Sequence, residues 1–119
     1  MLDAPDLSPN GRVKNTWKTV PKALGSAETV SVGSRRFIVD FEGGDLGYYQ
    51  HDPNLVEVSA STSVGKILRT FLAPNPHING FRAMIDVEVE PGQATDIRAF
   101  LRAGSRALTE TWLMPWIAE

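Results

Sequence analysis

Between residues 81 and 90 the chain alternates. Phe81, Ala83, Ile85, Val87 and Val89 fall on one parity, and Arg82, Asp86, Glu88 and Glu90 on the other, with Met84 the single apolar intruder. A helix would scatter these residues around its axis, whereas a half-buried strand sends successive side chains to opposite faces. The same pattern predicts strands at Arg36–Phe41, with Phe37, Val39 and Phe41 inward, and at Val56–Ser61, with Val56, Val58 and Ala60 inward. In Thr95–Arg102, Ile97, Ala99 and Leu101 alternate with Asp96, Arg98 and Arg102. Ile67–Ala73 and Ala107–Leu113 have strand composition but are apolar on both parities, so the pattern alone does not set their inward face. Thr29–Val32 is a candidate seventh strand.

Turn chemistry separates these runs. Gly43-Gly44 follows the first, Asn79-Gly80 precedes the fourth, Pro91-Gly92 closes it and Gly104-Ser105 joins the last two. Such pairs supply the backbone conformations that tight connections require. Short strands at this spacing, with no credible helix between them, predict an all-β fold: an immunoglobulin-like sandwich of about seven strands, with a partly open barrel as the alternative. Residues 1–27 read differently. Pro5, Pro9, Gly11, Pro21 and Gly25 interrupt every apolar piece there, predicting a linker or extended strap that Trp17 and Val20 alone are suited to pin.

Composition narrows the function classes. At 119 residues the chain suits one domain. Twelve basic residues stand against fourteen acidic ones, a net charge of -2, which lacks the basic excess expected of a nucleic-acid binder. There is no cysteine, which removes disulfides and Cys-based zinc sites from consideration. No apolar run is long enough to span a bilayer, and the first fifteen residues lack the basic and apolar regions of a signal peptide.

Candidate chemistry is sparse. His51, Asp52 and Asp45 lie in a loop with Pro53 and Asn54 without recognisable ligand spacing, and His77 sits among turn residues; both groups read as solvated loops. Ser59, Ser61, Ser63 and Ser105 belong to no nucleophile elbow, and no phosphate-binding glycine motif is present. Asp86, Glu88 and Glu90 alternate on what should be the solvent face of a strand, which favours a solvated row over a glycosidase pair. Tyr48 and Tyr49 in a loop, and Trp116 near the C-terminus, are candidates for sugar or interdomain contact. Trp112 is expected in the core, where its large apolar area is best used. Glu110 shares a parity with Leu108 and Trp112, predicting a partly buried carboxylate paired with Arg98 or Arg102 across the final hairpin. No catalytic residue, metal site or cofactor is assigned, and a monomer is expected.

Three segments together resemble a known family. Arg36-Phe37-Ile38-Val39-Asp40-Phe41-Glu42-Gly43-Gly44-Asp45-Leu46 is similar to the first strand of the C-terminal domain in the periplasmic glucan biosynthesis protein G and D family. Val58-Ser59-Ala60-Ser61 with Gly65, then Asn75-Pro76 with Gly80-Phe81-Arg82, resembles the middle of that domain. Ile97 to Gly104, followed by Leu108-Thr109-Glu110-Thr111-Trp112 and Trp116, resembles its end. The resemblance covers residues 28–117; Tyr48-Tyr49-Gln50-His51 and Met114-Pro115 depart from it. It implies an immunoglobulin-like module beside a larger β-sandwich that handles osmoregulated, β-1,2-linked glucans in the periplasm. Glucan hydrolysis is associated with some members, and its acid residues belong to the larger domain. The implied role for this chain is therefore non-catalytic: it packs on that missing domain and helps shape it. An independent module that binds β-glucan is the alternative.

Overall fold

The structure is a computed structural model that describes residues 11–19 and 34–118. Eight strands run through them: β1 (Arg12–Thr19), β2 (Ser34–Glu42), β3 (Glu57–Thr62), β4 (Lys66–Asn75), β5 (Gly80–Glu88), β6 (Ala94–Ala103), β7 (Arg106–Ala107) and β8 (Trp112–Ile117). All pairings between them are antiparallel. One sheet has the order β1-β2-β5-β4; in the other β6 lies beside β3 and also pairs with both β7 and β8. Counted as one interrupted strand, β7 and β8 complete a 1-2-5-4 sheet facing a 3-6-7 sheet, the order that constant-type immunoglobulin domains use.

The period-two pattern puts the core where the sequence predicts it. Phe37, Val39 and Phe41 of β2, Phe81, Ala83, Ile85 and Val87 of β5, and Ile97, Ala99 and Leu101 of β6 are all buried. Across the gap the Phe37 ring meets Trp112 at a centroid distance of 5.8 Å and Trp116 edge-on at 5.5 Å. Each fully buried side chain of this size contributes about 1.5–3 kcal/mol, so these alternating positions hold the two sheets together. The Asn79-Gly80 turn is confirmed in detail. Asn79 takes a φ of 51°, and a Cβ on Gly80 would lie 1.9 Å from the Phe41 carbonyl oxygen. Only glycine lets β5 start that close to β2.

Three sequence expectations change. Residues 12–19 are no linker: they form β1, an edge strand paired with β2 from Arg12↔Glu42 to Thr19↔Arg36. The pattern misses it because an edge strand held by backbone bonds needs few buried side chains, and only Val13 and Thr16 are half-buried here. Thr29–Val32 and Val20 lie outside the described residues. The expected strand at Ala107–Leu113 is split, with residues 108–111 leaving the ladder and β8 continuing through Pro115 to Ile117. Pro115 is tolerated because β8 is an edge strand.

The split has a cause in the N-terminal segment. Gly11 donates its N–H to the Leu108 carbonyl at 2.8 Å and accepts from Glu110 N–H at 2.8 Å. The Thr109 hydroxyl accepts from Leu101 N–H, replacing a ladder bond with a side chain. The Trp112 indole then donates to the Thr16 hydroxyl at 3.1 Å. Residues 11–16 thus lace the two sheets together.

The third change concerns Asp86. Alternation assigns it to solvent, yet its side chain is 1% exposed. It does lie on the outer face of the sheet, but long arginine side chains cover it there.

Candidate functional surface

Register across the first sheet builds its outer face in three rows. Thr19, Arg36, Asp86 and Arg69 lie opposite one another on β1, β2, β5 and β4; Trp17, Ile38, Met84 and Phe71 form the next row; Asn15, Asp40, Arg82 and Ala73 form the third. The middle row is wholly apolar. The rows beside it carry the charges.

Those charges are tied in pairs. Arg36 donates to Asp86 from Nε at 2.7 Å and from Nη2 at 3.0 Å, and Arg69 Nε reaches the same carboxylate at 3.0 Å. On the far side Arg82 grips Asp40 through Nε at 2.8 Å and Nη2 at 3.0 Å. Forked arginine–carboxylate contacts are among the stronger hydrogen bonds because both partners are charged and the geometry matches. The hydrogen bond to Asp86, opposed by burial and aided by the charge itself, raises the Arg36 pKa above its ordinary value; Asp40 does the same for Arg82. An ionised carboxylate buried without such donors would cost several kcal/mol. The same arginines lie over the aromatic rings of the middle row. Arg36 and Arg69 sit 5.8 and 5.9 Å from the Phe71 centroid, and Arg82 sits 5.1 Å from that of Trp17. Trp17 and Phe71 remain 44% exposed, Ile38 and Met84 half-buried.

The residues singled out in the sequence fall elsewhere, and they do not converge. Tyr48 is exposed on a 3-10 helix, Gly44–Tyr49, while Tyr49 packs against the core. Trp116, expected as a contact residue, is buried against Phe37 because β8 turns that parity inward. Trp112 is buried, as expected.

Glu110 is corrected. It is exposed, lies off any strand, and accepts a hydrogen bond from Val13 N–H at 2.9 Å, while its expected partners Arg98 and Arg102 are placed elsewhere. Arg102 bonds Glu57 at 2.8 Å, and Arg98 stands opposite Ser61 and Leu113 on the exposed face of β6. The prediction failed because it required Ala107–Leu113 to be one continuous strand.

His51 and His77 are both exposed, and the described residues contain no cluster of three or more metal-ligating side chains. Asp45 pairs with Arg106, and the Gln50 amide donates to the Gly80 carbonyl, so the loop after β2 is fastened to both neighbouring loops. A shallow cleft of about 580 Å³ runs between Ser63, Asp96, Trp116 and Ile117, but the Trp116 ring is 7% exposed and offers no open stacking plane.

What the sequence missed is the middle row and its arginines. The apolar intruder Met84 and the two-faced apolarity of Ile67–Ala73 were its traces, since Phe71 and Met84 are the outward residues that blur those patterns.

Comparison with known proteins fits this architecture. The family profile described as "Periplasmic glucan biosynthesis protein, MdoG" matches residues 2–116. The chain belongs to that family. It is 34% identical over 117 residues to a protein of Shewanella oneidensis named "Probable glucans biosynthesis protein D", an alignment covering 94% of this chain and 21% of that protein. It is 45% identical over 82 residues to the "Glucans biosynthesis protein D" of Stenotrophomonas maltophilia, covering 67% of this chain and 15% of the relative. The protein of that name from Xanthomonas campestris pv. campestris is 44% identical over 87 residues, with 70% of this chain and 16% of the relative covered. The chain thus spans about a fifth or less of the length of these curated relatives and corresponds to one domain of a larger protein. The family match extends to residue 2, well before the residue 28 at which the sequence resemblance began, in keeping with β1 being part of the fold.

Proposed function

We propose that this domain is the non-catalytic C-terminal module of a periplasmic protein for the biosynthesis of osmoregulated, β-1,2-linked glucans, and that it packs on and helps shape the domain that handles the glucan. Family membership supports the pathway and the periplasmic location. The observation that carries the non-catalytic part is the state of the buried carboxylates. A glycosidase needs one carboxyl group free to give up a proton and a second free to attack or activate water. Asp86 and Asp40 are instead the acceptors of five arginine hydrogen bonds between them, which leaves both carboxylates occupied.

The test is hydrolysis of β-1,2-glucan followed by reducing-end release. The domain alone should release nothing above a buffer control, and the full-length protein carrying Asp86→Asn should keep its activity per folded molecule. Release by the domain, abolished by substitution of one of its own acids, would refute the reading.

A second reading, an independent carbohydrate-binding module, draws on Tyr48, which is 81% exposed. Under it, Tyr48→Ala weakens retention of the domain on β-1,2-glucan; under the packing reading retention is absent before and after.

A further inference from the structure

We propose that the outer face of the β1-β2-β5-β4 sheet, centred on Trp17, Ile38, Met84 and Phe71, is the surface on which the remaining, larger part of the full-length protein docks. The inference rests on the packing role proposed above and names the face that performs it. Relatives carry roughly four-fifths of their length outside the part aligned with this chain, so a large partner within the same polypeptide is available.

Three features of the face fit that occupant. Its apolar row is continuous across all four strands, a span of roughly 14 Å at the usual interstrand spacing. The competing outer face, on the β3-β6-β8 sheet, has Leu113 and Ile117 more exposed, but both lie on one edge strand and face Arg98 and Ala94 across the ladder.

The composition is also that of an interface centre. Trp, Phe, Met and Arg are the residue types enriched in such centres, where unpaired charge is depleted. Here the two carboxylates are already neutralised by arginine before anything docks, so covering them adds little desolvation cost.

The third feature separates a protein partner from a sugar. A saccharide platform needs open aromatic planes, and guanidinium groups lie over both rings here. Arg69 and Arg82, whose side chains are 50% and 44% exposed, can offer remaining N–H donors to a rim of carboxylates or carbonyls. The facing surface is therefore expected to have an apolar centre and acceptor groups around it.

Cysteine labelling in the full-length protein tests this, using otherwise cysteine-free backgrounds; this domain has no cysteine of its own. Phe71→Cys and Ala73→Cys report on the proposed face, the second as the milder substitution should the first disturb folding. Leu113→Cys reports on the opposite face. With maleimide rates normalised to those in denaturant, the first two should react at least tenfold more slowly than Leu113→Cys, at every protein concentration. If Leu113→Cys is the protected site and the other two react freely, the packing role stands and this face is wrong. If all three react freely, both proposals fail. Protection at residues 71 and 73 that disappears on dilution would assign the face to a second copy, and protection that needs added β-1,2-glucan would assign it to sugar. Either result overturns the proposal.

Discussion

Replacing Asp86 with alanine removes the acceptor for three arginine hydrogen bonds and leaves Arg36, whose side chain is 18% exposed, beside an apolar hole. Removing one partner of a buried ion pair costs about 3–5 kcal/mol. Arg69 is half exposed and can turn to water, so its share is worth at most about 1 kcal/mol, and the total belongs at the low end, about 3 kcal/mol. A domain of this size is stable by about 5–15 kcal/mol, so the variant should fold but be visibly weakened. In urea, with a slope of roughly 1.5 kcal/mol per molar, the midpoint should fall by about 2 M. Glu57→Ala is the internal control. Its side chain is 60% exposed and its ion pair with Arg102 lies at the surface, so it should cost no more than about 1 kcal/mol. Loss of less than about 1 kcal/mol in Asp86→Ala, or equal losses in the two variants, would show that Asp86 is not a buried, arginine-held carboxylate.

Four further outcomes are expected from the same assay. Trp112→Ala, which empties the space against Phe37, should cost about 3–5 kcal/mol, whereas Glu110→Ala should cost only about 1 kcal/mol because it loses one exposed charge-assisted bond to Val13. Gly80→Ala should cost about 3 kcal/mol, since its Cβ meets a backbone oxygen that cannot move aside; an unchanged midpoint would contradict the close approach of β5 to β2. The stability difference between the natural chain and Asp86→Asn should be flat from pH 7 to pH 10. The Arg36 pKa is raised by Asp86, so the arginine's contribution is complete below its ordinary value and is lost only as pH rises through the still higher folded value; a decline within that window would point to another titrating group.

Alternation along the chain determined which residues meet in the core. Phe37, Val39 and Phe41, the odd-numbered run from Phe81 to Val89, and Ile97, Ala99 and Leu101 are buried as their parity requires, because a strand can present a residue to only two faces. The turns followed for a similarly local reason, since Asn79-Gly80 encodes its own backbone conformation. Motif order along the chain also carried the family, which the comparisons then showed.

Parity says which face a residue takes, but not what neighbouring strands bring to that face. Asp86 is polar and faces outward, and it is buried all the same. Arg36 lies fifty residues before it and Arg69 seventeen, and only the pairing of three strands sets both against one carboxylate. The fate of Glu110 was decided in the same way, by Gly11 and Val13 arriving from the far end of the chain to break the strand it was expected to join. The apolar row from Trp17 to Phe71 has one residue on each of four strands. It exists only as a product of the register among four strands, two of whose three pairings join segments far apart in the chain, which no local window of sequence contains.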